Sequence, residues 1–268
     1  MRRNLRLLPW WWVLRWVWLG EGIWVIYLTQ ERGLTLGQAF VFEAVFSGAV
    51  IATELPTGMV ADRFGRRIAL ILGGFCVVFG FLAFGWGTSL YVLIAGYALL
   101  ALANTNFSGA DTAMLYDSLK ATGRDRDFTV WHGRLNAIIA GAIGLFTILG
   151  SVMVRWWPLW TPILVSAIAS APAIILAWFM TEPPRDDERH AYLETGRRAI
   201  VLMVRTPAIW AVTMLMTLTT QSIALVAVLQ QQFLLDAGIP VWAVGLFVAV
   251  QMLVGAGASW ISEPVGGG

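Results

Sequence analysis

Eight stretches of roughly 20 apolar residues follow one another along the chain, at about 9–29, 36–57, 68–86, 90–115, 133–154, 159–180, 207–229 and 240–261. At 1.5 Å per helical residue each can cross a hydrocarbon layer about 30 Å thick. No other feature constrains the fold as strongly. Lipid offers no water to backbone N–H and C=O groups, so a crossing segment is a helix or part of a closed barrel. Barrel strands would be half as long and would alternate polar with apolar residues. The chain therefore reads as an all-α polytopic membrane protein of about eight helices. Composition agrees: 58% of the 268 residues are hydrophobic and 13% are charged, against about 25% charged in a soluble domain.

The basic opening Arg2, Arg3 and Arg6 is followed by an apolar run that is too long for a signal peptide and contains Arg15 and Glu21, so it reads as a retained first span. With the N-terminus inside, fifteen of the eighteen Lys and Arg residues fall on the inner side, two outside and Arg15 within a span. Positive charge resists translocation, which predicts that both termini are cytoplasmic. The single cysteine, Cys76, excludes an internal disulfide. The longest polar segment opens with Pro183 and Pro184 and divides the chain into a six-helix bundle at 1–181, a cytoplasmic linker at 182–206 and a two-helix partial bundle at 207–268. Apolar residues in the linker, including Ala191, Leu193 and Met203, fit either an amphipathic surface helix or a solvated connection. Trp10, Trp11, Trp12, Trp156, Trp157 and Trp160 fall at expected interfaces and read as anchors.

Ionisable groups inside a bilayer cost about 2.5–3.5 kcal/mol each, so each needs a partner, a wet cavity or a task. Glu21, Glu43 and Asp111 are the deepest acids. Helical periodicity puts Glu43, Ser47 and Glu54 on one side of the second span, and Tyr97, Asn104, Ser108 and Asp111 in one stripe on the fourth. Thr213, Thr217, Thr220 and Gln221 repeat the pattern on the seventh. Such stripes fit a shared aqueous path; they also fit helix-to-helix hydrogen bonding, most of all on the seventh span.

The connection after the second span carries Glu54, Pro56, Gly58, Asp62, Arg63, Gly65, Arg66 and Arg67. Gly58 and Gly65 suit close helix approach and a tight turn. Asp62 suits the positive end of a helix, and Arg66 and Arg67 suit bridges to acids on neighbouring spans. This loop resembles the signature loop of the major facilitator superfamily. The run Ser108-Gly109-Ala110-Asp111 through Tyr116-Asp117-Ser118-Leu119 is similar to the end of the fourth span in a bacterial branch of that superfamily, and Thr181-Glu182-Pro183 fits the exit of its sixth. The fifth span has Gly141, Gly144 and Gly150 but no Gly-Pro pair, so it departs from the superfamily's antiporter motif.

The resemblance implies a secondary transporter of the cytoplasmic membrane that moves a small-molecule substrate by alternating access and is driven by protons. Glu21, Glu43, Asn104 and Asp111 are then the candidate pathway, with the three acids as proton carriers. Glu54, Gly58, Asp62, Arg63, Gly65, Arg66, Arg67 and Asp117 are the candidate gating set, Glu54 and Asp117 being the expected partners of the arginines. In the superfamily the aspartate matching Asp62 engages a late helix of a second six-span half, and this chain holds about two spans of such a half. The expectation is therefore an incomplete chain that does not transport alone, the competing reading being a non-transporting fragment or a half-transporter that acts with a second chain supplying the missing helices. No phosphate-cradling Gly-Lys-Ser or Gly-Lys-Thr loop supports ATP-driven pumping, and His132 and His190 are isolated, so neither an enzyme, a metal site nor a cofactor is expected. The basic balance follows from topology and implies no nucleic-acid partner.

Overall fold

The structure, a computed structural model, describes residues 1–183 and 206–262. The connection 184–205, with the surface helix expected there, lies outside the described residues, as does the ending 263–268. The side chains of Thr213, Thr217, Thr220 and Gln221 also lie outside the description. The chain forms two compact units, Met1–Pro183 with Gln231–Gly268, and Pro184–Gln230. All regular structure among the described residues is helical.

The first span departs from expectation. Instead of one helix, α1 (Arg2–Leu14) ends at Arg15, residues 15–23 form no helix, and α2 (Trp24–Ile26) continues into a wide turn at Tyr27–Glu31. Gly20 and Gly22 flank Glu21 in the break, and glycine is among the residues least suited to a helix interior. In lipid a broken helix persists only where neighbours satisfy the freed backbone. Here the Leu19 N–H donates to Ser166 Oγ at 2.9 Å, and the Val25 N–H donates to Gln231 Oε1 at 3.2 Å. The Gln231 amide returns a bond to the Glu21 carbonyl at 3.2 Å.

Among the described residues, five further segments are long and apolar enough to cross a membrane: α3 (Leu36–Phe64), α4 (Arg66–Trp86), Leu90–Lys120, Asp125–Met153 and Trp160–Phe179. The third is α5 (Leu90–Phe107) and α6 (Ala110–Lys120), interrupted at Ser108 and Gly109, where Gly109 has φ +72°. The fourth contains α7 (Phe128–Met153), and the fifth is α8 (Trp160–Ser170) and α9 (Pro172–Phe179), divided before Pro172. Beyond them lie two further apolar helices, α10 (Pro207–Asp236) and α11 (Val241–Ser262).

Helix α3 starts on a capping box, with the Gln38 N–H on Thr35 Oγ1 and the Thr35 N–H on Gln38 Oε1. It continues through Pro56 to Phe64, so the loop expected after position 57 shrinks to Gly65, which closes α3 and opens α4. Small residues set the tightest packing. Gly80 on α4 faces Gly96 on α5, where a Cβ on either would stand 3.0 or 2.9 Å from the other's carbonyl oxygen. Gly150 on α7 lies against the Leu19 carbonyl, and Gly245 on α11 lies against Ser151.

The contacts also fix direction. Arg3 and Asn4 bond to Thr181 at one end of Met1–Pro183, which also carries Gly65 and is called here the basic end. At the opposite end the Trp160 N–H donates to Glu31 and Arg32 donates to the Gly85 carbonyl. The interrupted first segment thus runs between the same two ends as the long helices.

Candidate functional site

The two interruptions meet. Arg15, where α1 ends, pairs with Asp111, in the first turn of α6, at 2.7 Å. A cation at a helix C-terminus and an anion at a helix N-terminus are each favoured by the helix dipole, so the pair suits both breaks. Asp111 is 5% exposed. The Arg15 guanidinium lies 5.3, 5.1 and 5.5 Å from the ring centroids of Trp11, Trp12 and Phe107, an aromatic box that supports the cation without hydrating it. Trp11 and Trp12 are therefore core residues, and only Trp10 of that trio is exposed as an interfacial anchor would be. Arg15 Nε and the indole N–H groups of Trp11, Trp12 and Trp18 are buried with no hydrogen-bond partner among the described residues. Around Arg15 this leaves three unpaired donor groups, on Arg15, Trp11 and Trp12, whereas Trp18 packs on the Tyr97 ring.

A second cluster surrounds Tyr97, whose hydroxyl donates to Glu43 Oε1 at 3.0 Å. Glu21 lies in the break of the first span, three residues before Trp24. The Tyr97 ring stacks on Trp24 at 5.6 Å and meets Trp18, Phe42 and Phe84 edge-on or tilted at 6.2, 5.7 and 5.3 Å. Neither Glu21 nor Glu43 forms an ion pair among the described residues. Of the four pathway residues expected from the sequence, Glu43 is bonded to Tyr97, Glu21 lies in the break that precedes Trp24, whose ring stacks on Tyr97, and Asp111 belongs to the Arg15 cluster. Asn104 is exposed. The stripe read along the fourth span is divided, with Tyr97 and Asp111 buried and Asn104 and Ser108 exposed. A constant 100° per residue does not continue through the break at Gly109.

At the basic end, Arg66 pairs with Asp117 and donates to the Ala113 carbonyl at 3.0 Å. The other partner expected for the arginines, Glu54, instead accepts from Ser108 Oγ at 2.7 Å. Glu182, just past α9, takes the N–H groups of Arg66 and Arg67 on its two oxygens, each at 2.9 Å. A carboxylate on the free N–H groups of a helix start is a strong, charge-assisted cap. Gly65 makes room for it at φ +115°, where an added Cβ would stand 2.9 Å from Glu182 Oε2. Arg67 lies over the Trp178 ring at 5.4 Å, and Arg63 lies over Phe64. Asp62 and Arg63 are exposed on the last turn of α3. Among the described residues, Gly58 meets no heavy atom within 4 Å of a Cβ position. Asn4 completes the end: its amide donates to Ser118 Oγ at 3.1 Å and to the Thr181 carbonyl at 2.7 Å, and its oxygen accepts from the Thr181 N–H at 2.8 Å.

The cap yields a direct prediction. Gly65→Ala imposes a positive φ on an L-residue, at about 1–3 kcal/mol, and pushes the new methyl into Glu182. Hydrogen exchange at the Arg66 and Arg67 amides should then accelerate by about tenfold or more. Unchanged exchange would show that Glu182 does not cap α4.

Sequence reasoning named neither Arg15, Asn4 nor Glu182 as site residues. Arg15 did carry a signal, since a lone arginine inside a span demands a counter-charge and Asp111 was an acid without one. Asn4 and Glu182 carried none, because their partners are 177 and 116 residues away along the chain.

Comparison with known proteins adds to this geometry. Residues 19–266 match the family model of the Major Facilitator Superfamily. A stretch of 125 residues is 30% identical to a Na(+), Li(+), K(+)/H(+) antiporter of Planococcus maritimus, covering 44% of this chain and 29% of that protein. Another, of 123 residues, is 27% identical to the uncharacterised MFS-type transporter YqjV of Bacillus subtilis strain 168, covering 45% and 30%. The matched stretches thus span less than a third of either curated relative's length. The crystal structure of a POT family transporter in complex with a thioalcohol-conjugated peptide superposes with a TM-score of 0.51 at 14% identity, over 88% of this chain and 50% of that one. At that identity the likeness is one of fold.

Proposed function

The chain belongs to the major facilitator superfamily, and from that premise we propose that it carries a small solute across the plasma membrane by alternating access, coupled to protons. The observation that carries the reading is the meeting of two interrupted spans at Arg15 and Asp111, beside a second cluster of acids. Broken helices near mid-bilayer are where secondary transporters form solute and ion sites, because unwound backbone and helix ends are tolerated only where they line a cavity or are buried in protein. The unpartnered donors around Arg15 suit a solute with acceptor groups.

Proton coupling rests on Glu21 and Glu43. Charge at such depth is costly; Asp111 has Arg15 to offset it, while Glu43 has, among the described residues, the neutral Tyr97 hydroxyl and no cation. A bound proton removes the remaining cost, and so does exposure to water, which links protonation to opening. The basic end acts as the gate, with Arg66, Asp117, Glu182 and Gly65 holding α4 against α6 and α9, and with Asp62 and Arg63 placed to meet a further bundle. Both termini face the cytoplasm, as the charge asymmetry requires. Any helices needed to complete a second bundle come from further sequence or a second chain. The antiporter relative makes monovalent cations the first solutes to try.

Proteoliposomes carrying the protein and a pH-sensitive dye test this. Saturable, cation- or solute-dependent proton movement is expected, lost in Glu43→Gln. Tyr97→Phe removes a bond to a charged group worth about 1.5–3 kcal/mol and should slow it by about tenfold or more. Proton flux unchanged in both Glu43→Gln and Glu21→Gln would refute the coupling, and no saturable flux of any solute from the protein with its second bundle complete would refute transport.

A further inference from the structure

Beside the first turns of α1, a cavity of about 370 Å³ opens at the basic end, lined by Arg2, Leu5, Arg6, Thr122, Arg124 and Trp131. We propose that it is a binding site for the phosphate of an anionic phospholipid headgroup. Arg2 and Arg6 stand four residues apart on α1, so they share a face. Neither forms an ion pair among the described residues, and two like charges so placed repel each other unless an anion sits between them.

Arg124 arrives from the other side of the cavity already oriented. Its Nη2 and Nε bond to Asp127 Oδ2 at 2.7 and 2.8 Å, and its guanidinium lies 5.8 Å from the Trp131 ring centroid. The turn that presents it is closed by Gly123 at φ +71° and by an Arg124 N–H bond to the Leu119 carbonyl at 2.9 Å. Asp127 offsets Arg124, which leaves Arg2 and Arg6 uncompensated. Thr122 contributes no proton, because its hydroxyl donates to the Ser118 and Leu119 carbonyls. The arginines therefore carry recognition, as planar donors suited to phosphate oxygens.

Location selects a lipid over a free anion. The cavity adjoins the starts of α1 and α7, at the level of the connections between spans, where headgroups are concentrated. Its lining includes Leu5 and Trp131, which give the glycerol and first acyl carbons an apolar wall. Basic pockets between membrane helices at this depth bind anionic headgroups. The proposal rests on the membrane-spanning fold and is independent of whether the protein transports.

Native mass spectrometry of the detergent-solubilised protein with phosphatidylglycerol, phosphatidylcholine or inorganic phosphate tests it. Phosphatidylglycerol should remain bound where phosphatidylcholine does not. The double variant Arg2→Gln, Arg6→Gln should weaken that binding by about thirtyfold, whereas Arg126→Gln, a charge outside the cavity, should leave it unchanged. Equal retention of the two lipids, equal loss in Arg126→Gln, or full retention in the double variant would overturn the site. Displacement by millimolar inorganic phosphate would reassign it to a free anion. Circular dichroism of each variant separates lost binding from lost fold, and if the double variant unfolds, the single variants Arg2→Gln and Arg6→Gln must each weaken phosphatidylglycerol binding by about fivefold for the proposal to stand.

Discussion

Asp111→Asn should abolish transport and lower the stability of the protein by about 3–5 kcal/mol, the usual cost of removing one partner from a buried ion pair. The substitution keeps the shape of the side chain and its capacity to accept from the Thr112 N–H. It leaves the Arg15 guanidinium without a counter-charge among three aromatic rings. Thermal unfolding in detergent, read beside proteoliposome flux, separates two causes of the loss. Combining Asp111→Asn with Arg15→Gln removes both charges and should restore most of the stability, because a neutral replacement of a buried pair is often nearly neutral in energy. If Asp111 also carries a proton, the double variant folds and still fails to couple proton movement. Exchanging the two charges should rescue less, because each would then face the unfavourable end of its helix dipole, at about 0.3–1 kcal/mol apiece. A single variant as stable as the parent would show that the two broken spans are not joined through this pair.

Gly150→Ala is the second large effect. A methyl at Gly150 would overlap the carbonyl of Leu19, a backbone group held in the break of the first span and fixed by its own N–H bond to Ser166. Overpacking against a side chain is often relieved by a new rotamer; backbone cannot yield that way, and a loss at or above the upper end of about 1–3 kcal/mol follows. Gly141, on the same helix, is exposed and meets nothing within 4 Å among the described residues. There alanine should be neutral or gain up to about 1 kcal/mol from helix propensity. The two variants differ only in position, so unfolding temperatures measured side by side isolate the contact. Equal stability would mean that the broken segment does not lie against α7.

Much of the fold was legible because its cause is local. An apolar run of sufficient length must become helical in lipid whatever surrounds it, and a connection carrying Gly65, Arg66 and Arg67 declares a turn wherever it sits. The pairing of Arg66 with Asp117 was legible for the same reason, since both lie at span ends on one side of the membrane. The first span was not. Gly20, Glu21 and Gly22 could have been borne by an ordinary buried helix, and what opens it is the supply of partners from Ser166 and Gln231, which lie 147 and 206 residues away from their partners along the chain.

The candidate site divides in the same way. That Glu21, Glu43 and Asp111 required an explanation followed from the sequence alone, because a charge placed in an apolar span is costly until a partner or water offsets it. Which of them share a cluster did not, because helical periodicity relates residues on one helix and says nothing of its neighbours, and on the fourth span it is broken at Gly109. By itself the sequence determined the helical class and the list of groups that lipid makes costly, through the backbone's need for hydrogen bonds and the membrane's refusal of charge, and it showed the family through the resemblance of the loop from Glu54 to Arg67. Only the tertiary structure decided that Arg15 meets Asp111, that Tyr97 joins Glu43 and that Glu182 caps α4. Those contacts depend on where separate helices stand in space, and nothing within a single helical period encodes that.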